Sequence, residues 1–126
     1  MKNANVIEQK IMEKYKQNMR KNEDAILVIR NKEEELDRQE DNLYKTKTHL
    51  SRYCEEQRER YAGTDEMIRY NRMENDIYEL TSISRNLLDK EYEELKKEEK
   101  RLYEQQETYY EEYLSEIRAH LNKEDN

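Results

Sequence analysis

Gly63 is the only glycine in 126 residues, it stands at the midpoint, and the chain contains no proline. Glycine and proline are the strongest breaks in local structure. A chain with one such residue at its centre divides into two long segments joined by one turn. Both segments are rich in Glu, Lys, Leu, Arg and Gln, which are good helix formers. Gly63 suits the left-handed position that follows a helix end. Either Thr64 or Asp65 suits the N-cap of the next helix. The expectation is an all-α fold: one long antiparallel two-helix coiled-coil hairpin. Helix 1 runs over about residues 4–61, the turn over 62–65, and helix 2 over about 65–121.

The apolar residues support that reading. Ile29, Leu36, Leu43 and Leu50 recur every seven positions, as do Leu88, Leu95, Leu102 and Tyr109. A sustained seven-residue repeat indicates a left-handed coiled coil. The other core row is polar: Lys32, Gln39 and Thr46 in the first helix, Glu99 and Gln106 in the second. With a fold at Gly63, position i lies opposite roughly 127 − i, because both helices rise equally. Leu36 then falls between Leu88 and Leu95, Leu43 between Leu80 and Leu87, and Leu50 faces Ile77. The same register lays Lys16 across from Glu111 and Arg20 across from Glu107, an arrangement that favours the antiparallel direction. Arms of about 60 residues make a rod about 90 Å long. One apolar side chain per heptad per helix, at about 1.5–3 kcal/mol each, makes a marginal core. An antiparallel dimer of continuous helices keeps the same contacts.

Charged residues make up 44% of the chain and the formal net charge is −7. That composition suits long helices rather than a globular enzyme core. It also suits disorder, against which the leucine spacing argues. An acidic chain lacks the footprint of a nucleic-acid binder. The longest apolar run, Ala25 to Ile29, is far shorter than a membrane span, so neither nucleic acid nor membrane insertion is expected. A single cysteine, Cys54, fits a reducing, cytoplasmic setting.

A two-helix rod offers no concave, water-excluding site for catalysis, so no enzyme, cofactor or catalytic residue is expected. Glu116 and His120 have the i, i+4 spacing of a shared metal, but solvated side chains explain them better. Cys54 lies near the seam and reads as a small buried hydrophobe. Two features point to protein contacts. If Ile29 and Ala25 or Ile26 face inward, Leu27 and Val28 face outward, and exposed apolar residues on a charged rod suggest a partner. Eleven tyrosines replace all Phe and Trp. Tyr15 and Tyr109 read as seam fillers, whereas Tyr44, Tyr70, Tyr78 and Tyr110 stay open as contact residues.

A short, charged, proline-free helical hairpin with this fold point and leucine periodicity resembles the central-stalk proteins of bacterial type III secretion and flagellar export, the FliJ and YscO type. The resemblance covers the whole chain and rests on architecture, since that group has no sharp motif. It implies a non-enzymatic stalk that enters the pore of a hexameric secretion ATPase, promotes its assembly and activity, and reaches toward the export gate. Some members also bind secretion chaperones. The matching surface is the open end: Val6, Ile7, Lys10, Ile11, Lys14, Leu114, Ile117, Arg118 and Leu121. A cytoplasmic location at the face of a secretion apparatus follows. The alternatives are a secretion chaperone and a structural coiled-coil scaffold.

Overall fold

The computed structural model describes the backbone of residues 2–124 and the side chains of residues 5–123. It contains two α-helices, α1 (Lys2–Arg60) and α2 (Glu66–Glu124), with no strand among the described residues. The two long helices pack against each other as an all-α hairpin. The boundaries lie within a few residues of the sequence expectation.

The turn forms for the anticipated reason, with one change. Gly63 has φ +78°, a left-handed conformation that strains any L side chain even though an added Cβ meets nothing within 4 Å. The Thr64 hydroxyl donates back to the Tyr61 carbonyl (2.6 Å), and the Thr64 N–H donates to the same oxygen (3.0 Å). The Thr64 side chain thus closes α1. The first bonds of α2 come from the Met67 and Ile68 N–H groups to the Thr64 and Asp65 carbonyls. Arg58 and Arg60 end α1 and Glu66 begins α2, signs that complement the helix dipoles.

The hairpin divides into two units. The first comprises Met1–Asn31 with Leu95–Asn126, the second Lys32–Glu94. In the first unit Ile26, Ile29 and Leu102 are buried, with Ala25 and Leu95 packed against them. Within this core lies a buried polar residue, Asn22. Its amide donates to the Leu102 carbonyl (2.9 Å) and to Gln105 Oε1 (3.1 Å). Register 127 − i puts Asn22 opposite residue 105, which is where it bonds. Tyr15, expected near 112, has its ring 4.8 Å from Tyr113, stacked, and 6.4 Å from Tyr110.

In the second unit the buried residues are Leu36, Cys54, Ile77 and Thr81. The Thr81 hydroxyl donates to the Ile77 carbonyl one turn back in its own helix. Tyr92 donates to Asp37, and Arg58 pairs with Glu74 at 2.7 Å. Register 127 − i puts Asp37 opposite residue 90 and Arg58 opposite residue 69, so these cross-helix contacts lie two and five residues from it.

Here the strict seven-residue expectation fails in part. Leu50 is exposed, and so are Leu80 and Leu87, all three assigned to the seam by sequence. Ser51 and Cys54 turn inward on α1, and Thr81, Ser84 and Leu88 on α2. The inward positions of α1 run 43, 47, 51, 54, 58, two successive steps of four. Those of α2 run 81, 84, 88, 92, 95. Such a stutter is how a helix of 3.6 residues per turn relieves its drift against a 3.5 repeat. The second core row of α1 is also displaced by one: Lys32, Gln39 and Thr46 are exposed, whereas Glu33 and Lys47 are half-buried.

Charge pairing across the helices takes a different form from the expected one. Lys14 bridges Glu116 at 3.0 Å. Among the described residues no ion pair joins Lys16 to Glu111 or Arg20 to Glu107.

Candidate interaction surfaces

In the first unit, His120 Nε2 lies 3.9 Å from Glu8 Oε1, so the two helix ends meet side by side. Around this meeting point Val6 (47% exposed), Ile7 and Leu121 are open to solvent. Ile11, Leu114 and Ile117 are half-buried. Of the three positive residues expected at this end, Lys10 and Arg118 are exposed. Lys14 is also exposed, but Glu116 holds its ammonium by a hydrogen bond and by charge, which raises its pKa. Its charge is therefore partly masked. Glu116 bonds Lys14 and His120 faces Glu8, so this i, i+4 pair points to different partners. Among the described residues no group of three or more His, Cys, Asp or Glu is placed to hold a metal ion.

Leu27 and Val28 are more than half exposed, on the side of α1 away from the Ile26–Ile29 core. Tyr103, also exposed, accepts a hydrogen bond from Arg30 at 2.9 Å.

The tyrosines of the second unit divide into two kinds. Tyr70 stacks on Tyr61 at 5.8 Å and meets Tyr53 edge-on at 6.2 Å, beside the turn. Burial, then the neighbouring Tyr53, pushes its phenol pKa up. It is a packing residue of the closed end. Tyr44 and Tyr78 project, at 64% and 65% exposure, and Lys47 sits over the Tyr78 ring at 4.6 Å. Cys54 is fully buried. Desolvation pushes its thiol pKa up, the charge of Glu74 adds to this, and Arg58 opposes it. A thiol held in its protonated form is a poor nucleophile. A small cleft of about 170 Å³ between the helices is lined by Glu40, Asp41, Leu43, Thr81, Arg85 and Asp89 among others, so that carboxylates outnumber the one guanidinium.

Sequence reasoning missed one surface. Leu80, Ile83 and Leu87 are 64%, 49% and 57% exposed. Their i, i+3, i+7 spacing puts them on one face of α2. The signal was present: residues 80, 83 and 87 compete with 81, 84 and 88 as adjacent heptad rows. The larger side chains were taken for the core, whereas the row carrying Thr81 and Ser84 is the inner one. Asn22 was missed too, for want of any apolar signal.

Among the described residues no helix is long and apolar enough to cross a membrane. No family model, curated protein or solved structure matches the chain. The fold therefore stands on its own contacts, and function has to be argued from surface chemistry.

Proposed function

We propose that this chain is a non-enzymatic helical stalk: the end carrying Val6 and Leu121 enters a hexameric secretion ATPase, promotes its assembly and raises its turnover. The observation that carries the reading is the exposed apolar group Val6, Ile7 and Leu121 where the two helix ends meet. Apolar side chains clustered on an otherwise charged surface mark contact sites. Lys10 and Arg118 flank them and supply positive charge that steers toward an acidic pore lining. A two-helix element has no six-fold symmetry, so inside a six-fold ring it touches the subunits unequally and biases them into different states. In this reading the second unit faces an export-gate protein or secretion chaperones, through Tyr44 and Tyr78. The setting is the cytoplasmic face of a secretion apparatus.

The test is ATP hydrolysis by the secretion ATPase of the same genome, with and without this protein. Stimulation is expected, and Val6→Asp with Ile7→Asp abolishes it while circular dichroism shows helix content unchanged. Unchanged turnover and hexamer content across a saturating titration sink the stalk. A second reading, a structural scaffold, draws support from the exposed Leu80, Ile83 and Leu87 face. It has no need of an ATPase.

A further inference from the structure

From the outer face of α2 in the second unit we infer that a second copy of this chain docks there, antiparallel, about a two-fold axis at Ile83. The inference goes beyond the stalk reading and uses none of its residues.

The inner seam of α2 is already occupied by α1. On the outside runs a second row at heptad spacing: Asp76, Leu80, Ile83, Leu87, Lys90 and Glu94, in steps of four and three. Its three apolar members are about half to two-thirds exposed. A row at this spacing suits the seam of another helix.

Charge selects the occupant. A two-fold axis makes a patch meet itself, residue i against j and j against i. With the axis at Ile83, position i lies level with 166 − i of the second copy. Asp76 then lies level with Lys90, and Arg72 level with Glu94, each pair occurring twice. Leu80 and Leu87 interdigitate around the central Ile83. All four charged residues are exposed, and among the described residues none forms an ion pair within its own chain. Arg72 and Asp76 stand four residues apart on one helix, as do Lys90 and Glu94, and still remain unpaired locally. A parallel pairing would instead set each charge against itself. The complementarity stops at these residues, because Arg69 would lie level with Lys97. The contact is thus short, near the low end of specific interfaces in area, and the dimer is reversible.

Sedimentation over a wide concentration range decides the matter. The expected result is a molar mass that rises toward twice the monomer value. Ile83→Asp abolishes the rise with helix content intact. Asp76→Lys alone and Lys90→Asp alone each weaken association several-fold, since like charges then face each other twice. The combined Asp76→Lys and Lys90→Asp variant restores it. A constant monomer mass at all concentrations overturns the inference. So does a dimer indifferent to Ile83→Asp, which would be joined through another surface or by exchange of whole helices. Every variant leaves Val6, Ile7 and Leu121 intact, so ATPase stimulation is read independently.

Discussion

The two units of the hairpin share a helix pair and differ in what fills their seams. In the first, Ile26, Ile29 and Leu102 are buried together with Leu95 beside them, while Leu27 and Val28 face outward. In the second, Leu36 and Ile77 are buried as well, but Leu50, Leu80, Ile83 and Leu87 face outward and Cys54, Thr81 and Ser84 take inward positions. Small inward side chains fill part of the second unit's seam. Its larger side chains then remain for contacts outside the hairpin. Each unit keeps a buried apolar core, and the second adds Leu80, Ile83 and Leu87 on one outer helix face.

The sharpest way to break this contrast is truncation. Leu102 is 4% exposed in the core cluster. Leu102→Ala is expected to cost about 2–5 kcal/mol, the range for a buried leucine. The outward Leu80 should tolerate the same change. Thermal melts followed by circular dichroism measure both. Comparable losses at the two positions would mean that the second unit's outer row is buried after all.

The buried polar residues sharpen the comparison next. Asn22 bonds across to α2, whereas Thr81 bonds within its own helix. A polar residue at one core position fixes register at a cost in stability. Asn22→Leu is therefore expected to raise the melting midpoint, by about 1 kcal/mol in stability, and to loosen register. Thr81→Val should leave register unchanged. Distances between spin labels at positions 14 and 116, in the first unit, report the effect. A broadened distribution for Asn22→Leu and an unchanged one for Thr81→Val is the expected pair of results. An unbroadened Asn22→Leu distribution would remove Asn22 from the account of register.

How much of this was legible in the sequence follows from the same contrast. Gly63 showed the turn because only a positive φ needs glycine there. The row Leu88, Leu95, Leu102 and Tyr109 was read correctly because α2 keeps it in phase throughout, all four lying buried or half-buried. Leu80 and Leu87 were misplaced because residue size was taken as the guide to the core. Heptad counting cannot register a stutter: after residue 47 the inward face of α1 shifts by one position, and Leu50 leaves the seam. The open end was anticipated as a group, and Val6, Ile7 and Leu121 are exposed there. That Glu116 would mask Lys14 depended on local register, which charge counting over whole segments does not resolve.

Alkaline pH acts on the second unit through Tyr92 and Cys54. Tyr92 donates to Asp37, and that bond, followed by burial and nearby acidic charge, raises its pKa strongly. The Cys54 thiol is raised as well, by burial first. A group whose folded pKa exceeds its unfolded value contributes stability that is complete below the unfolded value and is lost as pH rises toward the folded one. The ordinary values are 9.0 for the thiol and 10.0 for the phenol. Stability should therefore decline above about pH 9. Tyr92→Phe should flatten the portion above about pH 10, and Cys54→Ala the portion that begins earlier. Denaturant midpoints measured from pH 7 to pH 11 check this. A decline that both variants leave unaltered would assign the sensitivity to other groups.

The smallest effect is the most informative about function. Leu80→Ala removes an exposed side chain, and surface changes of that kind stay within about 0.5 kcal/mol. At low protein concentration its melting midpoint should match that of the parent chain. If the outer face of α2 serves association, the same substitution costs the parent a stabilisation that grows with protein concentration, since partner binding favours the folded state by mass action. The midpoint of the parent should rise with concentration, and that of Leu80→Ala should rise less. Coincident curves at every concentration would mean that the leucines of the second unit face outward without holding anything. A large loss at low concentration would return Leu80 to the seam and erase the difference between the two units.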